Sequence, residues 1–276
     1  MSTWLITGCS TGLGRALAEA VLLAGHRAVV TARDAATVQD LEKAHPDTAL
    51  ALSLDVTDPA QVTEAVRQAG ARFGGVDVLV NNAGYGYRAA VEEGDDADVR
   101  QLFATNFFGA VAMIKAVLPG MRARRDGAIV NISSIGARIT PAGSGYYAAT
   151  KAALEGMSGS LRKELQPLGI TVLAVEPGAF RTDFAGRSLA QSAEAIADYA
   201  DTAGKRRKEN DTMDGNQPGD PVKAAQAIIT AVAAPDTPAL LLLGEDALTA
   251  FSGVLDTERA ELERWRALSA STGLDG

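Results

Sequence analysis

The chain has 276 residues, 47% hydrophobic and 22% charged, without a low-complexity block; this excludes a disordered or fibrous protein and leaves enough apolar side chains for a sizeable core. Its 26 Lys and Arg against 34 Asp and Glu give a net charge of -8, the wrong sign for a general binder of nucleic acid or anionic membranes, so small molecules are the expected partners. Cys9 is the single cysteine, which excludes an internal disulfide, and with only His26 and His45 beside it no metal site is expected.

The start Met1-Ser-Thr-Trp-Leu-Ile-Thr7 enters a strand pattern within three residues, which predicts no leader peptide and a cytoplasmic, reduced setting. Strand and helix patterns then alternate: Thr3–Thr7 with Leu13–Ala24, Ala28–Ala32 with Ala36–Ala44, Ala49–Leu54 with Pro59–Phe73, Val76–Asn81 with Val99–Met121, and Ala128–Ser133 with Tyr146–Gln166, before a strand at Thr171–Glu176. Such an order implies an α/β fold, a Rossmann-like doubly wound parallel sheet with helices on both faces. Val76–Val80 and Ala128–Ile132 are mostly apolar rather than alternating, as central strands covered on both sides are. No apolar run reaches membrane-helix length, Phe107–Leu118 being broken by Lys115.

No linker or repeat divides the chain, so residues 1–276 read as a single domain. Residues 184–219 form a polar, charged insertion with Lys205-Arg-Arg-Lys208, read as a helix followed by a flexible loop over Asn210–Gly219. The charge run reads as a solvated helix face, with attraction of an acidic substrate as the alternative. Beyond it Pro221–Ala233 predicts a helix, Ala239–Leu243 a last strand, and 256–276 a charged terminal helix and tail.

Gly8, Gly12 and Gly14 of Thr7-Gly8-Cys9-Ser10-Thr11-Gly12-Leu13-Gly14 stand where the first strand turns into the first helix. A dinucleotide-binding turn belongs there: it needs positive φ, close approach of backbone N–H groups to pyrophosphate, and tight contact between helix and sheet. At the end of the second strand Ala32 replaces the acidic residue that would hold a free ribose 2′-hydroxyl, and Arg33 offers a guanidinium to a 2′-phosphate, which favours NADP(H) over NAD(H). Asp34 is either a ribose ligand one residue out of register or a helix N-cap.

Tyr147 and Lys151 are four residues apart on a helix and share a face. A neighbouring cation favours phenolate and brings a phenol toward the working pH range, although such pairs are also ordinary surface chemistry. Ser134 follows a buried strand at its carboxyl end, where open α/β sheets bind ligands, and is otherwise a capping hydroxyl.

Together these residues resemble the short-chain dehydrogenase/reductase family in its compact branch. The resemblance covers nearly the whole chain and runs through Thr7-Gly-x-x-x-Gly-x-Gly14, Asp55-Val56, Asn81-Asn-Ala-Gly84, Asn106, Ser134, Tyr147-x-x-x-Lys151 and Pro177-Gly-x-x-x-Thr182. It implies that Asp55 and Val56 border the adenine, that Asn81, Ala83 and Gly84 line the adenosine-ribose side, and that Pro177, Gly178 and Thr182 hold the nicotinamide end. It further implies a catalytic set of Asn106, Ser134, Tyr147 and Lys151, with Tyr147 as proton donor and acceptor, Lys151 lowering its pKa and binding the nicotinamide ribose, Ser134 holding the substrate oxygen, and Asn106 keeping a helix bend and a water link to Lys151.

Tyr85, Tyr87, Ile135, Phe180 and Phe184, with Arg138 and Pro141, fall where relatives border substrate, and insertion 184–219 reads as a substrate lid. Their apolar and aromatic character suits a lipophilic or ring-containing carbonyl or alcohol, similar to the hydroxysteroid and retinol dehydrogenase members. The expected activity is NADP(H)-dependent interconversion of ketone or aldehyde with alcohol, in a homodimer or homotetramer. The competing readings are an idle dinucleotide-binding sensor and an epimerase or dehydratase that recycles its cofactor.

Overall fold

In chain order the strands are β1 (Thr3–Ile6), β2 (Arg27–Ala32), β3 (Ala49–Ser53), β4 (Val78–Asn81), β5 (Gly86–Arg88), β6 (Gly127–Ile132), β7 (Ile170–Pro177), β8 (Leu189–Gln191) and β9 (Leu240–Leu243). The structure is a computed structural model and describes residues 1–184, 186, 188–213 and 215–274. Ala185, Arg187 and Asp214 of the expected lid, and Asp275 and Gly276 of the expected tail, lie outside the described residues. Seven strands form one parallel sheet in the order β3-β2-β1-β4-β6-β7-β9. Chain progression reverses between β1 and β4, so their carboxyl ends open the crevice in which doubly wound sheets bind ligands.

Side chains alternate across the sheet and divide its apolar content into two layers. Trp4, Ile6, Val30, Val80, Val130 and Leu173 pack on one face against the helices α1 (Gly12–Leu23) and α9 (Pro221–Ala233). On the other, Leu5, Val29, Leu79, Ile129 and Val172 meet α3 (Pro59–Phe73), α5 (Ala110–Arg124) and α7 (Gly145–Leu165). The remaining helices are α2 (Gln39–Ala44), α4 (Asp96–Phe103), α6 (Gly136–Ile139), α8 (Ala203–Met213) and α10 (Glu245–Ala270). Leu5, Leu79 and Ile129 are fully buried, and each such side chain contributes about 1.5–3 kcal/mol relative to exposure.

Several boundaries differ from the sequence reading for identifiable reasons. The helix expected over 36–44 splits into a 3-10 turn at Ala35–Thr37 and α2, because Val38 leaves helical geometry at φ -130° to bury its side chain. The helix expected over 99–121 runs from Asp96 to Arg124 and carries a π-helical segment at Ala104–Gly109. That run is long and apolar enough to cross a membrane by length and composition alone, Lys115 notwithstanding; its Met113, Ile114, Val117 and Met121 are buried in the core. Helix α8 continues to Met213, into the expected loop, and α10 begins at Glu245, eleven residues before the expected start at Asp256. The short parallel pair β5 and β8 had no signal in the sequence.

Candidate active site

The turn after β1 uses glycine where the backbone requires it. Gly8 and Gly12 adopt φ of +74° and +62°, open to glycine at no steric cost. Gly14 has a different role: a Cβ there would stand 2.3 Å from the Gly8 carbonyl oxygen and 2.4 Å from Asn82 Nδ2. Asn82 latches the turn, its Nδ2 donating to the carbonyls of Thr7 (2.9 Å) and Gly8 (3.0 Å). Thr7 Oγ1 accepts from the backbone N–H groups of Asn82 (3.0 Å) and Ala83 (2.9 Å).

Asn82 is thus the side chain at the cleft where Asn81 was expected. As strand alternation dictates, Asn81 points the other way; it is buried and donates from Nδ2 to Asn131 Oδ1 at 2.8 Å. Asn82 stood in the same Asn81-Asn-Ala-Gly84 motif, and the strand period was the signal that separates the two.

A cleft of about 810 Å³ opens at the carboxyl ends of the strands. Gly8, Ser10, Thr11, Gly12, Leu13, Arg33, Asp55, Val56, Ala83, Gly84, Pro177, Gly178 and Thr182 all line it, whereas Gly14 supports it from behind. Arg33 is exposed at its rim. Asp34 resolves as a cap, its Oδ1 accepting from Ala36 N at 2.9 Å. Asp55 N is held by Gln61 Oε1 and Asp55 Oδ1 accepts from both N and Oγ1 of Thr57, which fixes that wall. Asp246, from α10, accepts from Ala179 N at 2.7 Å and occupies the space a side chain at Gly178 would need; the sequence reading missed it because its helix was placed too late.

Ser134, Tyr147 and Lys151 converge on the same cleft. Tyr147 is 7% exposed, and burial pushes its phenol above the ordinary value, against the hydrogen bonding of Ser134 and the charge of Arg88, which lower it. The cation expected to lower it was Lys151, but the Lys151 ammonium stands 5.8 Å from the Tyr147 ring centroid and donates to the Ile132 carbonyl at 2.8 Å. Burial brings Lys151 itself down to about 8, with Glu155 pulling the other way. Asn106 sits behind the cleft in the π-helical segment. It donates to Tyr85 O (2.9 Å) and Thr150 Oγ1 (3.2 Å) and accepts from Tyr85 N (3.1 Å). Its Oδ1 and the Lys151 ammonium both abut Gly84, where a Cβ would lie 3.0 and 3.6 Å from them.

Tyr85, Ile135, Phe180 and Phe184 line the other half of the cleft with Pro141, and the Phe184 ring centroid lies 5.7 Å from that of Tyr147. Tyr87, expected among them, is 1% exposed and packs on Tyr146, its hydroxyl accepting from Asp95 N at 3.2 Å. Strand β5 explains the exchange: alternation that buries Tyr87 turns Arg88 into the cleft. Arg138 is also elsewhere, paired with Glu155 (2.7 Å) and Glu176 (3.0 Å). In the 205–208 run, expected as a solvated face, Arg206 lines the cleft and Arg207 pairs with buried Glu93, which also accepts from Ile196 N at 2.8 Å and so ties the insertion to the body.

Behind Lys151, Glu155 is buried against Ser133, Arg138 and Glu176. Burial holds its carboxyl well above the usual range, with the like charge of Glu176 adding to it and Ser133 and Arg138 opposing. A carboxyl raised on folding favours the native state below its unfolded pKa, and that contribution is lost as pH rises through the folded value. Glu155→Gln is therefore expected to flatten the fall in thermal midpoint as pH rises from 5 to 8, gaining about 2–4 °C on the native chain at the upper end. Parallel midpoint curves for the two proteins, measured by circular dichroism, would refute this. Cys9 is chemically inert here: its thiol is buried, pushed up to about 12 by desolvation, and donates to Ile6 O.

Known proteins share this chain's sequence pattern and fold. The family model described as short chain dehydrogenase matches residues 2–193. The chain is 36% identical over 270 residues to "Oxidoreductase BOA17" of Botryotinia fuckeliana, covering 98% of each. Among solved structures it is similar to a short-chain dehydrogenase from Streptomyces avermitilis, at 45% identity and TM-score 0.92 with 99% of this chain and 100% of that one covered. It also matches ElxO with NADP bound, at 26% identity, TM-score 0.73, and 90% and 100% coverage. A glycine turn latched by Asn82, a phenol and an ammonium in one crevice, and a parallel sheet that opens it between β1 and β4 have a common explanation: this chain belongs to the short-chain dehydrogenase/reductase family and is an oxidoreductase.

Proposed function

We propose that the enzyme is an NADP(H)-dependent reductase or dehydrogenase that interconverts a ketone or aldehyde with an alcohol on a lipophilic or ring-containing substrate. The observation that carries it is the convergence of Tyr147, Ser134 and Lys151 on the cleft that the glycine turn also lines. The residues present fit a dinucleotide: Gly8 and Gly12 leave backbone without side chains at the start of α1, and the first-turn N–H groups there suit a pyrophosphate. When bound, the nicotinamide supplies or accepts the hydride. Tyr147 gives a proton to the substrate oxygen in reduction and takes it back in oxidation, Ser134 Oγ hydrogen-bonds that oxygen, and the Lys151 ammonium holds the ribose edge.

The preference for NADP(H) is supported by Arg33 at the rim and by Asp34, whose carboxylate is engaged as a cap and leaves the ribose position without an acid. Phe180, Phe184 and Ile135 supply the apolar wall, and the described part of the insertion, which brings Leu189, Arg206 and Gln217 to the cleft, acts as its lid. The reading includes self-association as homodimer or homotetramer, supported by α10, which exposes Leu248, Leu255, Leu262 and Trp265 along its length; a monomer mass by sedimentation would remove it.

The test is a carbonyl and alcohol panel followed at the reduced-cofactor absorbance band, with NADPH/NADP and NADH/NAD side by side. NADPH is expected to give at least about tenfold higher kcat/KM, reduced toward parity in Arg33→Ala, the loss of one charge-assisted pair. Product without net absorbance change would mean internal recycling, and binding without product would mean a sensor.

A further inference from the structure

Arg88 is the one fully buried arginine among the described residues; Arg207, half-buried, meets Glu93, and the more exposed Arg138 meets Glu155 and Glu176. Arg88 is 6% exposed, it lines the cleft, and its Nε and Nη1 have no hydrogen-bond partner among the described residues. Burying a guanidinium without an anion costs several kcal/mol, and Arg206 on the same wall adds like-charge repulsion, which with desolvation lowers Arg88 to about 10. It remains charged at neutral pH.

Ser144 Oγ and Gln217 Oε1, in the same cleft, are also buried and without a hydrogen-bond partner among the described residues. Ser144 opens the helix that carries Tyr147, and the Gln217 amide presents either its oxygen or its NH₂ by rotation. No carboxylate among the described residues pairs with Arg88: Asp55 is committed to Thr57 and Asp246 to the Ala179 N–H. Arg88 acts electrostatically on the Tyr147 phenol, so its charge belongs to the reacting end of the cleft and not to the adenine end beside Asp55.

We propose that the substrate carries a carboxylate besides its reacting carbonyl or alcohol, and that Arg88, assisted by Ser144 and Gln217, binds that carboxylate. This rests on the reading of the cleft as an oxidoreductase substrate site and narrows the substrate to an apolar or ring-bearing oxo or hydroxy acid. A planar guanidinium with unused donors matches a carboxylate by charge and geometry. The bound anion also offsets the pull of Arg88 on Tyr147 and keeps the phenol protonated, the form that donates in reduction.

The probes are 4-acetylbenzoate and its methyl ester, equal in ring and ketone and different in charge. Calorimetric binding to the full chain in the presence of NADP is expected to be at least about tenfold tighter for the acid, the same order as one charge-assisted pair. Arg88→Met and Arg88→Gln should abolish that difference while leaving NADP affinity and the thermal midpoint of the free protein unchanged or raised, since each removes an unpaired buried charge. Equal binding of acid and ester by the native chain, or an acid preference that survives in both variants, would overturn the proposal. A loss of NADP affinity in both variants would assign Arg88 to the dinucleotide and overturn it as well. Cofactor absorbance reports separately: Arg88-dependent acid binding without any oxidation of NADPH sinks the redox reading and not this site, whereas ester reduction without acid preference does the reverse.

Discussion

Tyr147→Phe is expected to lower turnover by about 10²–10⁴-fold, the usual contribution of a positioned general acid or base, while NADPH titrated by fluorescence binds within a factor of about three of the native chain. The substitution removes one oxygen and keeps the ring, so the packing against Phe184 at 5.7 Å persists and little stability is lost. In the proposed reaction, what disappears is the proton that the substrate oxygen gains or loses. Because burial raises the phenol above its ordinary value, the native enzyme holds Tyr147 protonated at neutral pH. Reduction therefore finds its donor ready across the neutral range, and alcohol oxidation, which needs the phenolate, speeds up as pH rises toward the alkaline side. Tyr147→Phe should erase the oxidation profile along with the rate. Turnover within a few fold of the native chain, with the same pH profile, would remove Tyr147 from the chemistry.

The fold was legible where a residue's neighbours in sequence are also its neighbours in energy. Apolar runs such as Val78-Leu79-Val80 and the alternation of strand with helix specify a covered parallel sheet without long-range information, and Pro59–Phe73 was readable to the residue because Asp58 caps it and Pro59 starts it. The crevice followed from the order of elements. Which side chain enters it did not always follow. Asn81 and Asn82 are adjacent and chemically identical, and so the choice lay in one step of strand phase. Tyr87 and Arg88 exchanged roles for the same reason, in a three-residue strand whose partner, β8, is a hundred residues away and carries no pattern of its own. The Lys151 effect on Tyr147 was drawn from helical spacing, and spacing carries no account of desolvation, which outweighs the other influences on both groups once they are buried. Arg206 and Arg207 read as a solvated pair because sequence shows charge but not the buried Glu93 that one of them meets.

Gly14→Ala carries the largest expected effect on stability. Gly14 lies within α1, where alanine is the better helix former, so local propensity argues for a gain of about 0.5–1 kcal/mol. Tertiary contact argues the other way and wins. The added methyl would lie 2.3 Å from the Gly8 carbonyl oxygen and 2.4 Å from Asn82 Nδ2, and neither can step aside cheaply. The first is backbone of a turn held at positive φ, and the second donates to the Thr7 and Gly8 carbonyls. Either α1 moves off the sheet, losing contacts of the buried Leu17 and Val21, or the Asn82 latch opens and its two hydrogen bonds are lost at about 1 kcal/mol each. With overpacking at about 1–3 kcal/mol, the net loss is about 2–4 kcal/mol, or about 5–12 °C in thermal midpoint. NADPH affinity should fall at least about tenfold, because the displaced backbone is the part of the turn that approaches the pyrophosphate. Gly156→Ala in α7 is the control: no atom lies within 4 Å of its added Cβ, so propensity acts alone and the midpoint should hold or rise slightly. If both variants melted alike, the helix would be free to slide over the turn, and the close approach of Gly14 to Gly8 and Asn82 would have no part in fixing the dinucleotide site.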